Sequence, residues 1–505
     1  MYFYTMIKRF GVIFLFLLGL AAEAQTLVFS TEVMNAYRDA FRLDRAGMEQ
    51  EIRKEKVANP ANILPHVVES YFDFIQVFVR EEKTLHDKFQ QQKRIRLEKI
   101  AAVSDTNALK LWSQATIYLQ SAAERTKFGE HYSAAFELRK AFLLLKQNRI
   151  TFPELLLNEL PYGLLYALIG SVPPQYQWVV RLVSMEGDVD TGKQMLYDLL
   201  QKSDSDQLAQ LIRPEVLFYL SFLEMTLNPD KESTGLLLRS FEDSDFVSPL
   251  MIYARASIEM RSGKNEAALR TLARRHGHQH VSEAPFYYLD FLEAEARLRQ
   301  LDYSAGEIYK RFLTLFRGIN YKADARRKLA WISLLQGDKQ AYHQQMSKLT
   351  TTEGLQVESD KQAVREAMQG VAPHEYLLKA RLLFDGGYYS RAREILYKAG
   401  LNQAEMSVDE NLEYWYRMGR VFQALGNESE ALNYYSLTMH SGKSSPLYFA
   451  ANAALFSAEM LEQHGRLSEA HKMFKTCLSY RPEEYRNGIH ARAQTGLKRV
   501  EKKIP

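Results

Sequence analysis

Apolar and small residues recur along the chain with the 3.6-residue period of α-helices. In the segment 412–442, two periodic stretches meet at Gly426, and neither shows the strict alternation of a β-strand. Gly419 in the first stretch, and Ala431 and Tyr435 in the second, fall on the faces that would meet. The pattern therefore predicts two short antiparallel helices that approach each other closely at their small residues.

The same arrangement returns at a constant interval towards the C-terminus. The turn glycines Gly387, Gly426 and Gly465 are 39 residues apart each time. The copy before Gly426 has Ala380, Leu383, Gly387, Ala392, Leu396 and Ala399 in order. The copy after it has Ala458, Leu461, Gly465, Ala470, Phe474, Cys477 and Pro482. This spacing resembles the tetratricopeptide repeat (TPR), a helix-turn-helix unit of about 34 residues, and the resemblance implies an array that binds other proteins.

Weaker copies of the pattern occur further towards the N-terminus. They surround Gly129, Gly187, Gly263, Gly306 and Gly337, and the segment 216–241 supplies one more helix pair. The total is about nine pairs, a number that depends on how strictly the template is applied. The predicted fold is all-α, an α-solenoid in which TPR-like helix-turn-helix pairs form a right-handed superhelix.

Pattern and composition divide the chain into five predicted segments. These are a signal peptide (1–24), an N-terminal helical cap (25–105), a degenerate TPR-like solenoid (106–347), a linker helix (348–373) and a C-terminal array of three TPRs (374–499). The linker is predicted because polar, turn-prone residues stretch the interval between turn glycines to 50 residues there. The cap is predicted because its segment is helical by pattern but lacks the repeat signature.

The first 24 residues have the features of a secretory signal peptide. Lys8 and Arg9 precede the apolar run FGVIFLFLLGLAA, and the sequence AEA at 22–24 fits the rule for cleavage before Gln25. An uncleaved membrane anchor is the alternative, but the run is shorter than the ~20 residues that a spanning helix needs. No cysteine follows the run to accept a lipid. We expect an exported, periplasmic or envelope-associated protein with no membrane span after cleavage, similar to exported TPR proteins of Bacteroidetes-like bacteria.

The composition is that of a globular protein with a weak overall electrostatic field. Among 505 residues, 46% are hydrophobic and 25% charged, and the formal net charge is +4. So small an excess argues against nucleic acid as the partner. Cys477 is the only cysteine, so no internal disulfide can form, and its place in the repeat predicts a small buried residue rather than a reactive thiol.

Chemical motifs are sparse. GDVDTGKQ, residues 187–194, nearly matches the phosphate-binding loop motif, but Gln194 replaces the Ser or Thr that would bind magnesium. Asp188 and Asp190 would repel phosphate, and no strand precedes the loop. We find no convincing nucleophile elbow, zinc-protease motif or pair of catalytic carboxylates in a loop-rich domain. We therefore predict no cofactor and no enzymatic activity; a hydrolase with an unrecognised site is kept as an alternative.

One histidine cluster is a weak candidate for metal binding. RRHGHQH, residues 274–280, contains His276, His278 and His280, and alternate histidines on an extended loop can converge on zinc, nickel or copper. However, two arginines precede them, and no acidic or cysteine ligand lies within a few residues. A solvated loop between repeats is the better interpretation.

The function follows from the predicted solenoid, because its first helices would line an extended groove. Candidate groove residues are Lys379, Arg381, Tyr414, Arg417 and Arg420, which project beside the small packing residues of two successive pairs. We predict a non-enzymatic scaffold of the cell envelope that binds a partner protein or an extended peptide. The alternative is an exported carbohydrate-binding receptor built from helical repeats, although such receptors begin with a lipidated cysteine that is missing here.

Overall fold

The computed structural model describes residues 25–172, 185–227, 231–242, 245, 248–275, 285–350 and 355–504. Within these residues the regular structure is helical, apart from an isolated β-bridge between Thr26 and Asn62. No helix of this described part is long and apolar enough to cross a bilayer. The predicted signal peptide, residues 1–24, lies outside the described residues.

Contacts divide the chain into two compact units. Unit 1 takes in Met1–Arg255, Arg274–Tyr287 and Phe316–Ile319, and unit 2 takes in Ala256–Ala273, Tyr288–Leu315 and Asn320–Pro505. Each unit is described by itself below. The five-segment division predicted from the sequence stays a prediction.

The helices fall in the order of the predicted pairs. Unit 1 contains α1 (Thr31–Phe41), α2 (Arg45–Ala58), α3 (Pro65–Arg80), α4 (Lys83–Ala101), α5 (Leu109–Lys127), α6 (His131–Thr151), α7 (Glu159–Gly170), α8 (Val189–Lys202), α9 (Gln207–Thr226) and α10 (Lys231–Arg239). Helix α11 (Pro249–Arg261) contributes residues to both units.

Unit 2 continues with a longer series of helices. They are α12 (Asn265–Ala273), α13 (Tyr288–Arg299), α14 (Ala305–Leu315), α15 (Lys322–Leu335), α16 (Lys339–Ser347), α17 (Glu358–Gln369), α18 (Glu375–Asp385), α19 (Tyr389–Gly400), α20 (Val408–Ala424), α21 (Glu428–Ser441), α22 (Phe449–Gln463), α23 (Leu467–Ser479) and α24 (Arg486–Glu501). Short 3₁₀ helices occupy Leu156–Asn158 and Gln403–Glu405.

Successive helices form pairs, and the pairs stack. Between Leu109 and Ser479 the described residues hold nine pairs, from α5 with α6 to α22 with α23, as the sequence predicted. In the C-terminal part of unit 2 the second helix of each pair packs on the first helix of the next, and the first helices α18, α20, α22 and α24 also contact one another in sequence. This arrangement is an all-α, TPR-like helical-repeat fold of the α-solenoid type.

The turns between paired helices use glycine as predicted. Gly387, Gly426 and Gly465 have φ of 82°, 78° and 72°, in the left-handed region that favours glycine. After each of them, the next backbone N–H donates at 2.9 Å to the carbonyl five residues earlier. This hydrogen bond satisfies one of the carbonyls left free at the end of the first helix, and it reverses the chain.

Close approach of the paired helices explains the small residues on their facing sides. A Cβ atom added at Gly419 on α20 would lie 2.6 Å from the Tyr435 ring on α21. Tyr435 is fully buried, as is Ala431 one turn earlier. Cys477 on α23 is also fully buried, which confirms its prediction as a core residue.

Helix α17 occupies the segment predicted as a linker, and it is packed within unit 2. Its Asp360 is 1% exposed and lies at the start of α15. The carboxylate accepts hydrogen bonds from the backbone N–H of Tyr321 at 2.7 Å and of Asp324 at 2.8 Å. A carboxylate at a helix N-terminus satisfies free donors and interacts favourably with the helix dipole. Asp360 therefore fastens α17 to α15.

Candidate binding site

A cavity of about 220 Å³ lies between α18 and α20, beside Tyr448 at the start of α22. These three helices are the first members of successive pairs, the positions that the sequence predicted to line a groove. The polar groups of the cavity wall are Arg381, Asp385, Tyr416, Arg417, Arg420 and Tyr448. We call this feature the arginine cavity.

The structure brings together three of the five predicted groove residues. Arg381, Arg417 and Arg420 all line the arginine cavity. Lys379 instead pairs with Glu375 along α18. Tyr414 is buried on another side of α20, where its hydroxyl packs against Gly400. Two residues along a helix correspond to a rotation of about 200°, so Tyr414 faces away from the cavity-lining Tyr416.

Two of the cavity arginines have acidic neighbours. Arg417 donates from Nε to Glu413 Oε1 at 2.6 Å, one helical turn away. Arg381 lies 4.0 Å from Asp385, and its guanidinium is 5.4 Å from the centre of the Trp331 ring. Sequence spacing predicts both i,i+4 ion pairs, whereas the contact with Trp331 comes from the tertiary fold.

Arg420 is in a different environment. Its guanidinium lies close to two phenyl rings, 4.9 Å from the centre of Phe384 and 4.2 Å from that of Phe456. Among the described residues its one hydrogen bond goes from Nη1 to the Tyr416 hydroxyl at 3.3 Å, and its buried Nε has no acceptor. No carboxylate of the described chain forms an ion pair with it. The two rings stabilise the cation by cation–π interaction, but they do not neutralise it.

Charges of both signs surround the arginine cavity. Arg381, Arg417 and Arg420 are positive, and the carboxylates of Asp385, Glu413 and, on α17, Glu366 all act on Arg381. Burial raises the pKa of the Tyr448 hydroxyl, so that group stays neutral and can donate a hydrogen bond. The cavity therefore offers guanidinium N–H donors and a hydroxyl donor to a polar group of a ligand.

Helix α17 and the chain before α24 flank the cavity, a feature that the sequence did not reveal. The Tyr485 ring contacts the Tyr448 ring edge-on, with 5.1 Å between centres. On α17, Gln362 donates a hydrogen bond to the Tyr485 hydroxyl, and Arg365 forms an ion pair with Glu484 at 2.9 Å. The sequence signal that could have indicated a structural role for α17 is its helical period of apolar residues. Ala363, Val364 and Ala367 follow that period and lie on one buried face.

The other chemical candidates do not form a site in the described chain. His276, His278 and His280 lie outside the described residues. Elsewhere, the described part has no group of three or more His, Cys, Asp or Glu side chains placed to hold a metal ion.

The phosphate-loop-like segment has structural contacts. Asp188 accepts a hydrogen bond from the Thr191 backbone and caps α8. A Cβ at Gly192 would lie 2.5 Å from the Ala167 nitrogen, so glycine is needed there for packing on α7. Lys193 pairs with the buried carboxylate of Glu224.

Comparisons with known proteins give likenesses to solved structures. No family model matches the chain, and no curated protein matches it. Among solved structures, it is similar to a monomeric IFIT1 mutant with m7Gppp-AAAA, with 12% sequence identity and a TM-score of 0.28 over 94% of this chain and 96% of that chain. At this TM-score the likeness adds nothing to the helix pairing seen in the chain itself. The class of protein is thus defined by that pairing, as a TPR-like helical-repeat protein.

Proposed function

We propose that this protein is a non-enzymatic binding scaffold of the cell envelope, and that unit 2 binds an extended segment of a partner protein. The observation that carries the proposal is the arginine cavity, formed by first helices of successive pairs. Arginine and tyrosine are enriched among the residues that dominate protein–protein binding. Export to the envelope is proposed from the sequence features of residues 1–24.

Unit 1 offers less room for a partner at the corresponding helices. Helix α9 is covered by the N-terminal helices: Tyr37 of α1 donates a hydrogen bond to the buried Glu215, and Phe78 of α3 packs on Phe218 with 6.1 Å between ring centres. The Ser248 hydroxyl, just before α11, donates to the Phe41 carbonyl at 2.8 Å. These contacts favour unit 2 as the binding part.

Selection from a displayed library of random 12-residue peptides, with the full mature chain as bait, tests the proposal. Peptides that bind should lose at least fivefold in affinity with Arg381→Ala, measured by calorimetry, because this cavity side chain is partly exposed. Tyr397→Ala is the matched control, since Tyr397 is a half-exposed residue on the second helix α19 and does not line the cavity.

A glycan array tested in parallel distinguishes the proposed peptide-binding scaffold from the alternative function, a carbohydrate-binding receptor. Selective binding to glycans with no peptide selected would refute the proposal. Peptide binding that Tyr397→Ala weakens as much as Arg381→Ala does would also refute it, because the site would then lie elsewhere.

A further inference from the structure

The arginine cavity is small for an extended segment of a partner. It encloses about 220 Å³, whereas ligand pockets in proteins usually measure roughly 300–1,000 Å³. Its walls belong to the first helices α18, α20 and α22, which contact one another in sequence and are held by the packing of the helix pairs. Additional room must therefore come from the flank that α17 and the chain before α24 form.

Two polar contacts join α17 to the chain before α24. Gln362 donates a hydrogen bond to the Tyr485 hydroxyl, and Arg365 lies 2.9 Å from the carboxylate of Glu484. The Tyr485 ring in turn packs edge-on against Tyr448 in the cavity wall. We call the contact formed by Gln362, Arg365, Glu484 and Tyr485 the clasp.

The clasp is weak. The Arg365 and Glu484 side chains are 39% and 40% exposed, and the nearest Arg365 atom, Nε, makes no hydrogen bond to the carboxylate. Exposed ion pairs contribute little to stability. Arg365 also pairs with Glu358 on its own helix, which competes with Glu484 for the guanidinium. Tyr485 has a φ of 58°, in the left-handed region where a bulky residue is strained.

The opposite edge of α17 is attached firmly. Asp360 is almost fully buried and accepts hydrogen bonds from two backbone N–H groups at the start of α15. Glu366 accepts from Trp331 Nε1 on α15 at 2.6 Å and from the Tyr342 hydroxyl on α16 at 3.2 Å. Breaking such contacts would leave buried polar groups unpaired, which is strongly unfavourable. Helix α17 therefore stays on α15 and α16 when the clasp opens, and the cavity widens towards α24.

We propose that the clasp is an autoinhibitory contact, which keeps the arginine cavity closed and opens to admit the bound segment. This inference rests on the proposed function, because it describes how the same cavity takes its partner. When a ligand binds only the open state, its apparent affinity is reduced by the fraction of molecules that are open. Weakening the clasp should therefore raise the affinity for a partner.

The double variant Glu484→Gln, Tyr485→Phe tests the inference in the full mature chain. It removes the charge and the hydroxyl of the clasp but keeps the ring that packs on Tyr448. The peptides selected from the displayed library should bind this variant at least threefold more tightly in calorimetry. Should the double variant fail to fold, Glu484→Gln alone takes its place.

The matched control is Glu358→Gln, which also removes a carboxylate partner of Arg365, but one that lies on α17 itself. It leaves Arg365 to pair with Glu484 alone, so the affinity for the same peptides should not rise. Stopped-flow measurements separate opening from new contacts. The gain of the double variant should appear in the association rate, with the dissociation rate unchanged within twofold, because a new contact with the peptide would instead slow dissociation.

The inference is overturned if the double variant binds the peptides no more tightly than the unaltered chain, or if Glu358→Gln raises their affinity equally. Either result leaves the proposed function standing, because Arg381→Ala tests that function separately. Peptides that gain affinity for the double variant but are not weakened by Arg381→Ala would count against the proposed function instead. If the unaltered chain selects no peptide, selection is repeated with the double variant. Peptides obtained from that variant alone support the clasp, and none from either chain refutes both proposals.

Discussion

At the scale of single residues, Glu215 on α9 is a buried carboxylate whose neighbours are hydroxyls. Tyr37 donates a hydrogen bond to it, and Tyr71, whose ring stacks on that of Tyr37 at 4.8 Å, supplies a second. Burial raises the pKa of Glu215 to about 7, although both tyrosine hydrogen bonds act to lower it. The folded chain therefore binds a proton at Glu215 more tightly than the unfolded chain does.

This shift predicts how unit 1 depends on pH. The stabilisation from protonated Glu215 is complete below about pH 4.5 and is lost as the pH rises through 7, with a total change of roughly 3 kcal/mol. Glu215→Gln removes the titration. Between pH 5 and pH 8 we therefore expect the stability of this variant, relative to the unaltered chain, to improve by roughly 2 kcal/mol. Urea unfolding at the two pH values measures it.

The control for this prediction is Glu307→Gln, which removes an exposed carboxylate paired with Lys310. The stability of this variant relative to the unaltered chain should change little over the same pH range, because exposed ion pairs contribute little to the free energy of unfolding. Parallel behaviour of Glu215→Gln and Glu307→Gln would contradict the assignment of the pH dependence to Glu215.

Residues differ in how far the sequence predicts their roles. Gly419 and Tyr435 are on neighbouring helices with a short turn between them, so their contact follows from the local period. Tyr37, Tyr71 and Glu215 come from three helices that are distant in sequence, and no local pattern indicates their meeting. The local period also does not show that Tyr414 lies on the side of α20 that packs on α19, because that depends on how the two helices pack.

At the scale of elements, the turns of two non-adjacent pairs touch within unit 2. The turn between α18 and α19 lies against the turn between α11 and α12, where Gly387 meets Gly263. Next to this contact, the Tyr388 hydroxyl donates to Glu266 at 2.7 Å and accepts from Asn265 at 3.1 Å. The repeat predicts a glycine at each of these turns, but the contact between them depends on how the intervening helices stack.

Gly387 and Gly337 form a matched pair for testing this contact. Both have positive φ, 82° and 92°, so alanine is strained at either position by roughly 1–2 kcal/mol. A Cβ at Gly387 would also lie 1.8 Å from the Gly263 carbonyl oxygen, while a Cβ at Gly337 meets nothing within 4 Å. We expect Gly387→Ala to cost at least about 2 kcal/mol more than Gly337→Ala in urea unfolding. Equal costs would show that the turns do not touch.

Helix α17 shows where element prediction reaches its limit. Its existence was predicted from composition and period, but its attachment through Asp360 to the start of α15 was not. An aspartate in a polar stretch is usually a solvated residue, and nothing in its neighbourhood indicates the helix end that it caps. The sequence predicts helices from local periodicity, whereas caps between distant segments depend on the tertiary fold.

At the scale of the whole molecule, the nine helix pairs of the described residues were predictable because each pair repeats the same local pattern of helix, turn and helix. The arginine cavity was predictable only in part. Three arginines follow from the repeat, whereas Phe384 and Tyr448 line the cavity, and Phe456 contacts Arg420, through stacking of successive pairs. Its ligand was not named by any motif.

Export is the prediction that concerns the molecule as a whole. If residues 1–24 are a cleaved signal peptide, the mature chain purified from its own cells begins at Gln25. Mass spectrometry of the intact protein should show this N-terminus, and replacing Ala22 and Ala24 with leucine should retain the precursor. A chain that keeps Met1 in a membrane fraction would favour the uncleaved anchor.

The buried Cys477 has a practical consequence for studying the motions of this protein. Its thiol is fully buried, and burial raises its pKa to about 12, so it is almost wholly un-ionised at neutral pH. Thiol-directed dyes and spin labels react with the thiolate. Cysteines introduced at two exposed sites, of which Leu401 can be one, would therefore take up label selectively, and the distance between them could be followed in solution without removing the native cysteine.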